Sequence, residues 1–326
     1  MTRLSILIPC VAVDAPFEST LVSILQNRPR DCEVLVIHAQ PYDDPYQLRD
    51  EVRFIAAPGK RSVAALVNAG IAAARGEVIN VAPAGVEVEE NWSEPALAHF
   101  ADPEVGSVCP LIIHAEERTT IATLGVGYRT GGARISIGAD EPLPRQRQLA
   151  ARVIGPSAMG GFYAREVVAA CGGFCVDLGD ELADVDLALS LAHLGFRTVF
   201  EPASVMTATK AALGDAPAGF THGRAAERLF WRHAAEQGWI AALPLHLLVV
   251  AQSLLGKLLA PRALGELLGR LAALADFGAV QRYDDLLTEA AARLDEPVAA
   301  TDDISRASLR QKIEAEAKAA PLRRAA

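Results

Sequence analysis

Short, strongly apolar runs alternate with helical patterns through the first half of the chain, and few architectures accommodate that order. Residues 4–9, 33–37, 52–56, 77–81 and 107–113 read as strands, too continuously apolar for a sheet wetted on one face. Between them, residues 17–26 place Phe17, Leu21, Ile24 and Leu25 at helical spacing. Residues 61–75 do the same with Val63, Leu66, Val67 and Ile71 before the capping Gly76. This alternation predicts an α/β fold, a mostly parallel sheet flanked by helices.

A further helix is predicted near residues 94–100. Residues 115–152, glycine-rich and charged, predict an irregular β excursion lying over the site as a mobile loop. Residues 164–170 and 184–194 read as helices and 196–200 as a late strand. From residue 221 the chain turns almost wholly helical up to Leu294, and a charged, alanine-rich tail follows Pro297. The expected organisation is an α/β domain over residues 1–212 and a helical C-terminal region over 213–326.

With 326 residues, 51% of them hydrophobic, the chain can bury a large core. Its net charge of −9 argues against a general nucleic-acid binder, which needs a basic face. The five cysteines are scattered and read as buried thiols. Cys171 and Cys175 lack a second pair or a suitably spaced histidine, so no zinc site is expected. The first apolar run is too short for a secretory segment, and a cytoplasmic location is expected. Residues 239–260 are apolar over about one bilayer thickness, but Pro244, His246, Gln252 and Lys257 interrupt them. A packed or interfacial helix is the favoured reading over a membrane span. It would allow peripheral contact with the inner face of the membrane through the C-terminal helices.

Several segments, in order, resemble the family 2 glycosyltransferases of the GT-A fold. The first strand ends in Pro9, and Glu33-Val34-Leu35-Val36-Ile37 leads into a turn. Asn68-Ala69-Gly70-Ile71 with Ala74-Arg75-Gly76-Glu77 matches the family's Asn-x-Gly-Ile and Ala-x-Gly-Glu run. Gly172-Gly173-Phe174, Ala183-Asp184-Val185-Asp186-Leu187, Gly195-Phe196-Arg197 and Pro202 follow at matching spacing. The resemblance covers residues 1 to about 210. It implies a GT-A sheet, a nucleotide-sugar donor and a glycan or lipid-linked acceptor.

The resemblance also implies a Mg²⁺ or Mn²⁺ cofactor held by an Asp-x-Asp turn after the fourth strand. In register that turn is Pro83-Ala84-Gly85, which carries no carboxylate, so no metal ligand is assigned. Glu87, Glu89 and Glu90 follow, and read as a solvated acidic run more readily than as a shifted metal site. Where the family has Asp-Asp-Gly-Ser, this chain has His38-Ala39-Gln40-Pro41, with Asp43 shortly after. Pro9, His38 and Asp43 are candidates for the nucleotide side, although a plain loop histidine reads equally well at His38. Lys60 and Arg61 precede a helix and are the anion-binding candidates, the alternative being a solvated basic turn.

The family places a Glu-Asp pair at Ala183-Asp184 and uses the Asp as general base, so Asp184 is the catalytic candidate, with a structural role as the alternative. Glu181 is a substitute for it. Gly161 and Asp186 are assigned to the acceptor side. The histidine the family places after Pro202 is Ala208 here, and His222 and Thr207 are out of register. His222, Arg224, Arg228, Trp231, Arg232 and His233 form a basic-aromatic face for which packing against the main domain is expected. Two functions compete: sugar transfer from a nucleotide-sugar donor without the usual metal, or a catalytically inactive GT-A module acting as a binding or scaffolding protein. A nucleotidyltransferase is a third, more distant reading, which calls for a glycine-rich basic loop that residues 10–15 do not offer.

Overall fold

The computed structural model describes residues 2–40, 42, 44, 47–129, 133–213, 219–234, 238–255, 261–275 and 278–295. In chain order the elements begin β1 (Leu4–Cys10), α1 (Ala15–Asn27), β2 (Cys32–His38), β3 (Val52–Ala56), α2 (Val63–Ala73), β4 (Val78–Val81), β5 (Val86–Val88), α3 (Glu94–Ala98) and β6 (Val105–His114). They continue with β7 (Ile121–Thr123), β8 (Gly125–Arg129), β9 (Ala133–Ile137), α4 (Gln146–Ala150), β10 (Phe162–Ala164), α5 (Arg165–Ala170), α6 (Ala183–His193) and β11 (Arg197–Ala208). Four helices follow: α7 (Phe220–His233), α8 (Trp239–Leu255), α9 (Pro261–Leu274) and α10 (Gly278–Asp295).

The main sheet runs β3-β2-β1-β4-β10-β6-β11-β5, with β7 paired to β6. β1 to β4 are mutually parallel, β10 is antiparallel to both β4 and β6, and β11 runs parallel to β6. Every residue of β1 is buried, because successive side chains point to opposite faces and both faces are covered. Leu4, Ile6 and Ile8 meet Phe17, Leu21 and Ile24 of α1. Leu7, Leu35 and Ile37 meet Leu66, Val67 and Ile71 of α2, with Leu187 and Leu191 of α6 in the same layer. The α/β expectation holds: a mostly parallel sheet is flanked by helices, with further helices following it.

Three local expectations change. Residues 86–88, within the stretch read as a solvated acidic run, form edge strand β5, antiparallel to β11. A strand, β10, precedes the helix at residues 165–170 and fills the sheet between β4 and β6. The segment 115–152 contains a regular β8–β9 hairpin where an irregular excursion was expected. The tail beyond residue 295 lies outside the described residues.

The C-terminal helices share core with the sheet domain, since Ala225, Ala226 and Leu229 of α7 pack with Val126, Leu178, Leu182 and Val185. α7 and α9 cross at glycines: a Cβ on Gly223 would stand 2.1 Å from the Glu266 carbonyl oxygen, and one on Gly269 2.0 Å from that of Phe220. Beside that crossing the buried Glu227 carboxylate accepts from Trp231 Nε1 at 2.8 Å and Arg270 Nη1 at 3.1 Å, and His246 Nε2 lies 3.1 Å away. The basic-aromatic face of α7 is thus turned inward in large part, as packing required. Among the described residues no helix is long and apolar enough to cross a membrane.

Candidate active site

The carboxyl ends of β1, β2 and β4 open where ligands enter an α/β sheet. Pro9 lies in the fully buried β1, paired in register with Ile37. His38 ends β2, half-buried, with Nδ1 2.7 Å from the Gln40 carbonyl oxygen. A carbonyl only accepts, so Nδ1 is the donor in this contact. Asp43 lies outside the described residues. Its neighbour Asp44 is turned inward to accept from the Leu48 N–H at 2.8 Å.

The N-terminus of α2 is where backbone N–H groups were expected to receive an anion. The protein supplies that anion itself. Asp180 accepts from Val63 N at 3.0 Å and Ala64 N at 2.8 Å, and the Ser62 side chain accepts from Ala65 N at 3.2 Å. The donors a phosphate would use are already engaged, which corrects the backbone half of the expectation. The side-chain half is unaffected: Lys60 and Arg61 are exposed. A small, mainly apolar cleft is lined by Val63, Ala64, Val67, Ala158, Phe174 and Asp180 among others, and neither cation lines it.

The turn after β4 falls at residues 83–85, where the register put it. It is packed on both sides: the Gly85 N–H donates to Thr20 Oγ1 at 3.0 Å, and its carbonyl accepts from Thr209 N at 3.0 Å. Of the nearby acids, Glu87 sits in β5 opposite Thr207, and Glu89 pairs with Arg118 at 2.6 Å. Among the described residues no group of three or more His, Cys, Asp or Glu is placed to hold a metal ion. Among the described residues, the turn at 83–85 and its surroundings thus offer no set of converging oxygens such as a hard Mg²⁺ or Mn²⁺ ion needs.

Asp184 lies in the first turn of α6 and is only 2% exposed. Arg134, from β9, closes on it with Nε 3.1 Å from Oδ1 and Nη2 2.9 Å from Oδ2. The Val185 N–H adds a bond to Oδ1 at 2.8 Å and the Ala158 N–H one to Oδ2 at 3.4 Å. Burial opposes the Arg134 charge, but the adjoining carboxylate outweighs it and pushes the guanidinium pKa up. Glu181 remains half-exposed, 3.4 Å from His222 Nδ1.

Two acceptor-side assignments move. Asp186 points to α7, where Arg232 Nε and His233 Nε2 each lie 3.1 Å from Oδ1, because residues two apart on a helix face different ways. Gly161 is buried in the β4–β10 seam, its carbonyl accepting from Val81 N at 3.1 Å.

The sequence model of Glycosyl transferase family 2 matches residues 5–162. The match covers just under half of the 326-residue chain. Among solved structures, GalNAc-T7 with UDP, GalNAc and Mn²⁺ is similar at TM-score 0.52 and 15% identity, over 73% of this chain and 51% of that one. At that identity the likeness shows the fold, and the chain spans about half the length of GalNAc-T7. Mannosyltransferase PcManGT from Pyrobaculum calidifontis, with GDP-Man and Mn²⁺, aligns at TM-score 0.49 and 18% identity over 89% of this chain and 86% of that one. Comparison with curated proteins by sequence finds no match.

Between the matched residues and the segment after them, two motifs distant in sequence prove to be one contact. The Asn68 amide donates to the Phe174 carbonyl and accepts from the Phe174 N–H, both at 2.8 Å. Gly173, at φ +80, has no room for a Cβ, which would sit 2.3 Å from Asn68 Oδ1. Sequence reasoning missed Arg134 and Asp180. Arg134 lies in a segment without periodicity, and no motif flags a carboxylate that caps a helix over a hundred residues away.

Proposed function

We propose that this chain transfers a sugar from a nucleotide-sugar donor to a hydroxyl acceptor, a glycan or a lipid-linked one, without a divalent metal. The family 2 domain and its GT-A sheet support a sugar-transfer role. The observation that carries the finer reading is the exposed Lys60–Arg61 pair just before α2, in a chain whose turn after β4 offers no side-chain metal ligand. A diphosphate leaving group gains negative charge as the glycosidic bond breaks, and two cations beside it would offset that charge. His38 Nε2 and Asp43 would serve the base or ribose. Asp184 would take the acceptor proton only after the acceptor displaces Arg134, since both carboxylate oxygens are engaged. Residues 1–212 would form the transfer unit and 213–326 its helical support.

The same Arg134–Asp184 pair favours a second reading, a catalytically inactive GT-A module acting as a binding or scaffolding protein. Titration calorimetry in EDTA with UDP-, GDP- and dTDP-sugars tests the proposal. Binding should persist in EDTA and weaken at least about tenfold in Lys60→Ala/Arg61→Ala, in line with the loss of two charge-assisted contacts. An absence of heat with every donor would leave only the second reading. Binding with product formation unchanged by Asp184→Asn would remove that residue as the base.

A further inference from the structure

Of the 14 large apolar side chains exposed among the described residues, nine lie between Ile240 and Leu274. In α8 only Ala242 and His246 are buried among those from 240 to 248 whose exposure is described, while Ile240 is 94% exposed and Leu247 61%. At 100° per residue, Ile240, Leu243, Leu245, Leu247 and Leu248 spread over an arc of roughly 200°. A helix seated in a protein groove needs a stripe of about half that width. In α9, Leu264, Leu268 and Leu271 follow one another along the side away from Gly265 and Gly269, which meet α7.

The charge in this region differs from that of the whole molecule. Between Trp239 and Ala275 the sequence has a single acid, Glu266, against Lys257, Arg262 and Arg270. Glu266 and Arg270 are both buried, 3.6 Å apart, and Arg270 also reaches Glu227 at 3.1 Å, so neither adds charge to the surface. The charge left over in the segment is the positive charge of Lys257 and Arg262, in a protein whose net charge is −9.

We propose that α8 and the outer stripe of α9 lie in the interfacial layer of an anionic lipid bilayer. Hydrocarbon surrounds an inserted helix over a wide arc, which a protein groove does not. At 17 residues α8 is about 25 Å long, short of the ~30 Å hydrocarbon core, so it lies along the surface and does not cross. In sequence the segment carries Lys257 and Arg262, charges that would favour anionic headgroups.

The test is co-sedimentation of the full chain with vesicles of phosphatidylcholine alone or mixed with phosphatidylglycerol. The chain should bind the mixed vesicles, and Leu247→Gln/Leu248→Gln should weaken binding at least about tenfold while the circular dichroism spectrum stays unchanged. Lys257→Glu/Arg262→Glu should remove the preference for the mixed vesicles, at about fivefold or more per charge. No sedimentation with either vesicle overturns the proposal. So does a dimer in sedimentation velocity that Leu247→Gln/Leu248→Gln dissociates, because a second copy would then cover the face. Neither readout depends on a donor sugar binding.

Discussion

Arg134 reaches Asp184 from a hairpin 50 residues earlier in the chain, and the carboxylate it meets is 2% exposed. A charge so placed is tolerated only with its partner beside it. Arg134→Ala is expected to cost about 3 kcal/mol, toward the low end for a broken buried pair because Arg134 itself is partly hydrated. Arg134→Met/Asp184→Leu should recover most of that loss, and urea unfolding of the three variants measures both effects. A double variant as unstable as the single one would mean that Asp184 is not stabilised mainly by this pair. The position of Asp184 was legible from motif spacing alone. Its partner was not, since pairing across a hairpin leaves no periodic trace in sequence.

Among the elements, the α7–α9 crossing depends on Glu227, whose surroundings work in opposite directions. Burial raises its pKa, but the hydrogen bond and charge of His246 and the bonds from Trp231 and Arg270 prevail and hold it below its ordinary 4.5. A carboxylate depressed in the folded state stabilises above its unfolded pKa and loses that contribution as pH falls through the folded value. Thermal melts should therefore lose stability as pH drops below about 4.5. Glu227→Gln should lower stability at pH 7 and flatten the acid limb; an unchanged acid limb would remove Glu227 from the account. Long elements such as β1 and α2 were legible because seven residues make a recognisable apolar run and eleven show a helical period. The three-residue strands β5 and β10 were not, because three residues establish no period and only their neighbours in the sheet define them.

On the scale of the molecule, the sheet domain and the helices after it are joined by a shared apolar cluster and by Asp186, which takes both Arg232 and His233. A chain ended at residue 212 would uncover Val126, Leu182 and Val185 and leave Asp186 without those partners. It should be recovered mainly as aggregate, or without a cooperative melt, when compared with the full chain by circular dichroism. A stable, cooperative 1–212 fragment would show that the helices are an appendage only. The layered sheet could be read from the order of apolar runs. The mutual dependence of the two regions could not, because it rests on single polar residues meeting across the fold.

The placement of β10 between β4 and β6 bears on how the chain is made. While it emerges from a ribosome, the free edge of β4 waits for residues 162–164 to arrive. At ~5–20 residues per second that delay is roughly 4–17 seconds. Through that interval a bare strand border stands open to pairing with other nascent chains, so slower translation or crowded polysomes should favour mispairing at this seam before any other.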